Sequence, residues 1–427
     1  MRTSTQTEQT LPVSGKAMQA VLSAEQELAS VFARIEAIEY ANQWKVLQAF
    51  QNEGIAQRHF NATTGYGYDD IGRDALDRVF ARAFGAEDAL VRPQMVNGTH
   101  AIYLALSGLL RPGEAMLSIT GKPYDTLNDA VIAPGDERIG ALSEFNIAFH
   151  EIALREDGGI DLNALMRTLE ATPNIRVVYA QRSRGYAWRE AILPDELHTV
   201  FQTIKSHYPH IWTMVDNCYG EFTQTVEPVA LGADVMAGSL IKNPGGGLAP
   251  TGGYIAGTAE AVSLCAHRLT IPGMGREVGS YAASYQPYYQ GLFMAPHVTA
   301  QSLKTAALFA RVLENAGMQT MPHSEAVRSD IIQALRLPSK EALIAFCQNI
   351  QKAAPIDSFV VPEPWDMPGY ACPVIMAAGA FVQGASIELS ADAPVKEPYT
   401  AYIQGSLTYA HGRIGAMMAL TALLQNQ

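Results

Sequence analysis

Residues 214–253 read MVDNCYGEFTQTVEPVALGADVMAGSLIKNPGGGLAPTGG. The apolar run Ile211 to Val215 stops at Asp216 and Asn217, the pattern of a buried parallel strand whose carboxyl end carries a polar working group. A second run, Val235 to Ala237, leads through Gly238, Ser239, Leu240 and Ile241 to Lys242 and a loop dense in glycine. One carboxylate and one lysine, 26 positions apart, therefore sit at the same edge of a sheet. In an open α/β sheet that edge is where ligands bind.

Upstream, the same grammar repeats. Asn97, Gly98, Thr99 and His100 precede AIYLALSGLL, a helix with almost no polar residue. A turn, a glycine and a hydroxyl at the start of a buried helix make an anion site, because free amides and the helix dipole point at the turn; an ordinary N-cap at Asn97 or Thr99 needs no ligand. The strand EAMLSIT (114–120) ends in GKPYDT, placing Tyr124 where a flat ring can stack on a planar group. Leu162, Leu165, Met166 and Leu169 mark a helix at i, i+3, i+4, i+7. The strand Ile175 to Ala180 runs into QRSRGYAWR, from Gln181 to Arg189, with arginines at 182, 184 and 189. That cluster suits an anionic group or a salt-bridged loop equally. The segment NATTGYGYDDIGR (61–73) reads as an exposed loop carrying Tyr66, Tyr68 and Arg73, with an amphipathic helix from Asp74 to Phe84.

Short strands alternating with helices across residues 85–260 imply an α/β fold with a mainly parallel, doubly wound sheet. Residues 1–60 form an N-terminal arm, loose to about residue 20 and helical from Glu25 to Phe50. Residues 61–295 form the large ligand-binding domain. Residues 296–427 form a smaller α+β domain with strands in PVIMAAGAFVQGASIEL and a last helix near Ile414 to Leu424.

Composition excludes several classes. The 427-residue chain is too long for one compact core. Its 42 acids against 30 bases give a formal charge of −12, which disfavours nucleic acid and anionic membranes as partners. The four cysteines are scattered without a CxxC pair, so neither a metal site nor a disulfide framework is indicated, and a reducing cytoplasm is the expected location. The N-terminus lacks the apolar core of a secretory signal.

A carboxylate and a lysine at one sheet edge match pyridoxal phosphate. That cofactor needs an amine for a Schiff base, an acid on its ring nitrogen and donors at a helix start for its phosphate. Lys242 lies among small, uncharged neighbours, which favours a partly neutral amine through burial. Two rivals fail on the residues. Ser239 to Lys242 spells SxxK, the nucleophile motif of serine acyl hydrolases, but no SDN or KTG accompanies it. The glycine loop follows the lysine instead of preceding it, and no GxGxxG occurs.

The stretches ALVRPQMVNGTHAI, TGKPYDT, QRSRGYAWR, VDNCYGEF, AGSLIKNPGGGLAPTGGYIAG, APHV and IMAAGAFVQGASIELSAD together resemble the methionine gamma-lyase family, also labelled aluminium resistance proteins, relatives of the cystathionine lyases among fold-type-I pyridoxal phosphate enzymes. The resemblance implies the fold-type-I transferase fold and a homodimer or homotetramer with shared active sites. It implies Lys242 as Schiff-base lysine, Asp216 on the pyridine nitrogen, Gly98, Thr99 and Ser239 on the phosphate, and Tyr124 on the ring with Gln181 beside it. Tyr68 and Arg73 resemble the loop that reaches a neighbour's phosphate, and Tyr124 or Tyr68 would assist the leaving group. Asn97, Ser406 and Lys396 depart from the serine, glycine and arginine usual there. Candidates for the substrate carboxylate are Arg184, Lys396 and Arg413. The expected activity is loss of a β or γ substituent, a thiolate or a halide, from an L-amino acid held through a Lys242 aldimine. The alternative is a cofactor-binding protein with little lyase activity serving in stress or metal tolerance.

Overall fold

Two helices lead the chain, α1 (Gly15–Glu27) and α2 (Ala29–Asn52). Ser14 caps α1, its hydroxyl accepting from the Ala17 amide at 3.2 Å. The sequence suggested a loose segment to about residue 20 and one helix from Glu25. The earlier start escaped notice because its buried face is built of Ala17, Val21 and Ala24, spaced i, i+4, i+7 but two-thirds alanine. The computed structural model describes residues 13–132, 139–367 and 372–425. The chain divides into a larger unit, Glu36–Ala300 with Arg328–Ile331, and a smaller one, Met1–Ile35, Gln301–Val327 and Ile332–Gln427. The sequence placed its boundaries at 60/61 and 295/296. The observed divisions at 35/36 and 300/301 fall inside continuous helices, where apolar periodicity does not change, and those flanking 328–331 fall between the strands Thr320–Met321 and Gln333–Arg336.

The larger unit contains α3 (Ile71–Phe84), β1 (Asp88–Arg92), α4 (Gly98–Leu109), β2 (Ala115–Ser118), α5 (Asp125–Ile132), β3 (Ala148–Glu151), α6 (Leu162–Ala171), β4 (Ile175–Gln181), α7 (Pro194–His207), β5 (Trp212–Asp216), β6 (Val235–Ser239), β7 (Gly253–Gly257) and α8 (Ala259–Leu269), and then the first half of α9 (Gln286–Asn315). Its seven-stranded sheet has the order β1-β7-β6-β5-β4-β2-β3. Strands β3, β2, β4, β5 and β6 run parallel, and β7 is antiparallel to both β6 and β1. Both faces are covered, which is why the strands read as unbroken apolar runs. Val178, Val215 and Met236 point into a core with Phe80, Phe84, Leu165 and Phe201. Their neighbours Val177, Tyr179, Met214, Val235 and Ala237 point the other way, among Leu104, Leu106 and Val262.

The chain leaves β2 outward to β3 and returns on the opposite side as β4. This reversal brings the carboxyl ends of β2, β4, β5 and β6 to one edge. Four residues reached late in the chain close that edge. Ser329 accepts from Arg182 Nε at 2.9 Å and donates to the Ile192 carbonyl at 2.7 Å. Asp330 accepts from Ser183 Oγ at 3.0 Å and from the Arg184 amide at 3.1 Å.

The smaller unit holds a five-stranded antiparallel sheet, β8 (Thr320–Met321), β9 (Gln333–Arg336), β10 (Val374–Ala378), β11 (Ser390–Pro394) and β12 (Thr400–Gln404), in the order β10-β11-β12-β9-β8. Helix α10 (Lys340–Ala353) packs on α11 (Tyr409–Gln425), which begins a turn earlier than the sequence suggested. Among the described residues, no helix is long and apolar enough to cross a membrane.

Candidate active site

The end of β5 delivers Asp216, only 3 % exposed, to the sheet edge. Its side chain leaves on the same face as Met214, toward α4. One carboxylate oxygen accepts from the Cys218 amide at 3.0 Å and the other from the Tyr179 hydroxyl at 3.3 Å. Tyr179 stands opposite Met214 in the β4–β5 register, which brings its ring alongside. Burial pushes the Asp216 carboxyl above the usual range, and the nearby Lys242 cation and the Cys218 amide oppose that shift.

Lys242 follows β6, where Ser239 Oγ accepts from the Ile241 amide at 3.3 Å. Its side chain keeps some accessible surface while lying at a floor crowded by protein, and its Nζ sits 3.8 Å above the centre of the Tyr219 ring. Tyr219 adopts φ +70°, a left-handed conformation that costs a tyrosine energy and marks a constrained site. The sequence favoured a partly neutral lysine, and here the structure differs. Burial presses the Lys242 pKa down, but Cys218, Tyr219, Asp216 and Tyr124 around it more than offset this and leave it above the ordinary lysine range; near neutral pH the charge favouring the ammonium is that of Asp216, while the Cys218 thiol and the Tyr124 phenol keep their protons.

At the start of α4, Asn97 Oδ1 accepts from the His100 amide at 2.8 Å, leaving the first-turn amides of Gly98 and Thr99 without an intrahelical acceptor. A Cβ on Gly98 would lie 3.0 Å from Ser239 Cβ and 3.1 Å from Cys218 Sγ, so any larger residue makes the helix start and β6 give way by a few tenths of an ångström. Gly98→Ala is therefore expected to weaken cofactor binding about tenfold or more. An absorbance titration of the apoprotein checks this, and unchanged affinity would show that the cradle has room to spare.

Tyr124 comes from the loop after β2. Its hydroxyl donates to Thr99 Oγ1 at 2.9 Å, and its amide donates to Gln181 Oε1 at 3.2 Å. Burial, then the Asp216 charge and the neighbouring Cys218 side chain, push the phenol well above its ordinary pKa, so it stays protonated. Gln181 also donates to the Ser183 carbonyl at 3.2 Å, so both ends of its amide brace this wall of the site.

The remaining candidates stand elsewhere. Tyr68 lies on an exposed loop, 59 % accessible and stacked on Tyr66 at 5.6 Å between ring centres. Among the described residues no hydrogen bond or ring contact joins it to Tyr124 or Lys242. Arg73 is buried, and its guanidinium donates to the Gly67 carbonyl and to Asp74, both at 2.8 Å, holding that loop from behind. Arg184 is buried against Asp330, with 3.4 Å between Nε and the carboxylate. In the smaller unit Arg413 pairs with Glu25 at 2.8 Å, while Lys396 is exposed and forms no ion pair among the described residues. Sequence reasoning missed Tyr179, Tyr219 and Cys218; the two-residue step from Tyr179 to Gln181 on one face of β4 was the available signal.

The site fits pyridoxal phosphate. Free amides at a helix start and the Ser239 hydroxyl suit a phosphate. A nearly desolvated carboxylate suits a protonated ring nitrogen, and an amine stands beside it.

The methionine gamma-lyase family profile matches residues 17–424. A crystallised carbon-sulfur lyase involved in aluminum resistance from Clostridium novyi NT is 48 % identical, with TM-score 0.92 and 96 % of each chain covered. The Bacillus subtilis protein YnbB is 49 % identical over 406 residues, covering 95 % of this chain and 96 % of its own. The pyridoxal-5'-phosphate dependent protein YhfS from Escherichia coli, 16 % identical with TM-score 0.62 over 92 % of this chain and 97 % of its own, shares the fold. The chain belongs to the methionine gamma-lyase family, with a fold-type-I architecture and a site built for pyridoxal phosphate.

Proposed function

We propose that the protein is a lyase that eliminates a β or γ substituent, a thiolate or a halide, from an L-amino acid. The observation carrying this reading is the placement of Asp216 and Lys242 at one buried sheet edge, beside the protonated Tyr124 phenol. Bound pyridoxal phosphate supplies an electron sink for a carbanion at the substrate's α-carbon.

The chain's residues do the rest. The Gly98 and Thr99 amides and the Ser239 hydroxyl hold the phosphate. Asp216 holds the ring nitrogen's proton in place by its charge. Lys242 Nζ would hold the cofactor and, as a free amine, would take the substrate's α-proton as general base. For γ loss the same amine would first deliver that proton back to the cofactor-bound substrate and, neutral again, would take a second from the β-carbon. Tyr124 Oη, kept protonated by its surroundings, gives a proton to a departing thiolate, with Thr99 Oγ1 fixing its direction. Tyr68 is proposed to serve a neighbouring copy in a homodimer or homotetramer, which would explain its exposure. For the substrate carboxylate the candidates are Arg184, Lys396 and Arg413, of which Arg184 and Arg413 already face an acid. A cytoplasmic location accords with the scattered, unpaired cysteines.

The test is the release of 2-oxo acid and ammonium from cystathionine, methionine, homocysteine and γ-halogenated amino acids by cofactor-loaded protein. Equal amounts of both products from at least one substrate are expected. Silence toward all of them would overturn the proposal and favour a cofactor binder of another role.

A further inference from the structure

Behind Lys242 lies a second buried carboxylate that the proposed chemistry does not use. Glu221 is fully buried. Its Oε1 accepts from the Tyr254 hydroxyl at 2.7 Å, and its Oε2 has no hydrogen-bond partner among the described residues. The pair fits only because position 238 is glycine: a Cβ there would lie 2.7 Å from Glu221 Oε1 and 2.7 Å from the Tyr254 ring. The backbone ties Glu221 to the lysine turn, since Asn243, next to Lys242, donates to the Glu221 carbonyl at 2.9 Å and to the Tyr219 carbonyl at 3.0 Å.

Glu227, six residues on, is provided for differently. It accepts from Arg182 at 3.2 Å, from Asn217 at 2.9 Å and from the Phe222 amide at 2.8 Å. The Arg182 guanidinium, which also donates to Asn217, Thr223 and Ser329, is therefore paired with Glu227. A fully buried carboxylate with the Tyr254 phenol and its own backbone amide as donors, and one oxygen left over, is poorly compensated as an anion, and a proton on that oxygen removes the deficit.

We propose that Glu221 is a positioning residue, a neutral acid wedged behind Lys242 whose loss of a proton binds the Lys242 ammonium more tightly and slows cofactor capture. The proposal rests on the assignment of Lys242 as the cofactor lysine. The groups facing Glu221 are Tyr254 from β7, Lys242 and Asn243 from the turn after β6, Glu227 with its partner Arg182, and Cys218 on its own loop. Burial is the largest influence and pushes the acid up to about 8, against the Tyr254 hydrogen bond and the Lys242 charge. The sign follows. Below that pH Glu221 is neutral; above it a new negative charge stabilises the ammonium, whereas capture of the cofactor aldehyde needs the free amine.

Infrared spectra of the apoprotein test the proton directly. A buried carboxylic-acid carbonyl band is expected below about pH 8 and lost above it, absent in Glu221→Gln and lost at higher pH in Tyr254→Phe, where the donor stabilising the anion is gone. Rapid-mixing uptake of pyridoxal phosphate tests the coupling. The ratio of uptake rates, Glu221→Gln over wild type, is expected to climb several-fold between about pH 7 and about pH 9. A purely structural role would leave that ratio flat. No band, a band that survives in Glu221→Gln, or a flat ratio each overturns the proposal. Borohydride reduction and peptide mapping separate this failure from the larger one. A pyridoxyl label on Lys242 with a flat ratio removes only the role of Glu221, and a label on another lysine removes the site assignment as well.

Discussion

Replacing Lys242 by alanine is expected to lower turnover at least about 10²–10⁴-fold, the range lost with a positioned proton-transfer group alone. Among the described residues the amine is the one cationic nitrogen set against Asp216, Tyr124 and Tyr219, so no described neighbour takes over its protons. Cofactor can persist in the variant, because the phosphate cradle of Gly98, Thr99 and Ser239 is untouched, and its absorbance should then resemble the free aldehyde. Steady-state product formation decides. Turnover within about threefold of wild type would mean that another group acts as the base.

Asp216→Asn is expected to cost about 10²–10³-fold in turnover, the scale of removing one preorganised electrostatic contact, while the apoprotein folds at least as stably. Folding and chemistry are predicted to part here for a physical reason. Burial already disfavours the carboxylate, and an amide keeps the oxygen that accepts from the Cys218 amide. The catalytic loss instead reflects the missing negative charge beneath the ring nitrogen. Denaturant melts of the apoprotein alongside kinetics of the loaded enzyme check both halves. Near-wild-type turnover, or a collapse of stability without cofactor, would contradict the assigned role.

The parts of this site that were legible in the sequence are those written along one strand. Asp216 and Lys242 announce themselves because apolar runs break into polar residues at the end of a buried strand, and Gly98 because a buried helix begins just after it. What stayed hidden is what the fold brings from a distance. Tyr179 reaches Asp216 through strand register, and Tyr219 reaches Lys242 through a left-handed backbone angle that no pattern foretells. The arginines after β4 read equally as an anion site or as salt bridges. Their acids, Glu227 and Asp330, lie 45 and 146 residues away, and only the folded chain shows Arg182 and Arg184 paired with them. The same limit explains the charge of Lys242, whose neighbours in sequence are uncharged while the Asp216 carboxylate reaches it only in space.

Residues Arg328–Ile331 bear on how such a protein can be dismantled. A fragment ending at residue 300 would carry Arg182, Ser183 and Arg184 into its interior without Ser329 and Asp330. Stripping one partner from a buried ion pair commonly costs about 3–5 kcal/mol, a large share of a typical domain's stability. Truncations and chimaeras should therefore graft this tetrapeptide back, because the catalytic half is not a contiguous piece of the gene.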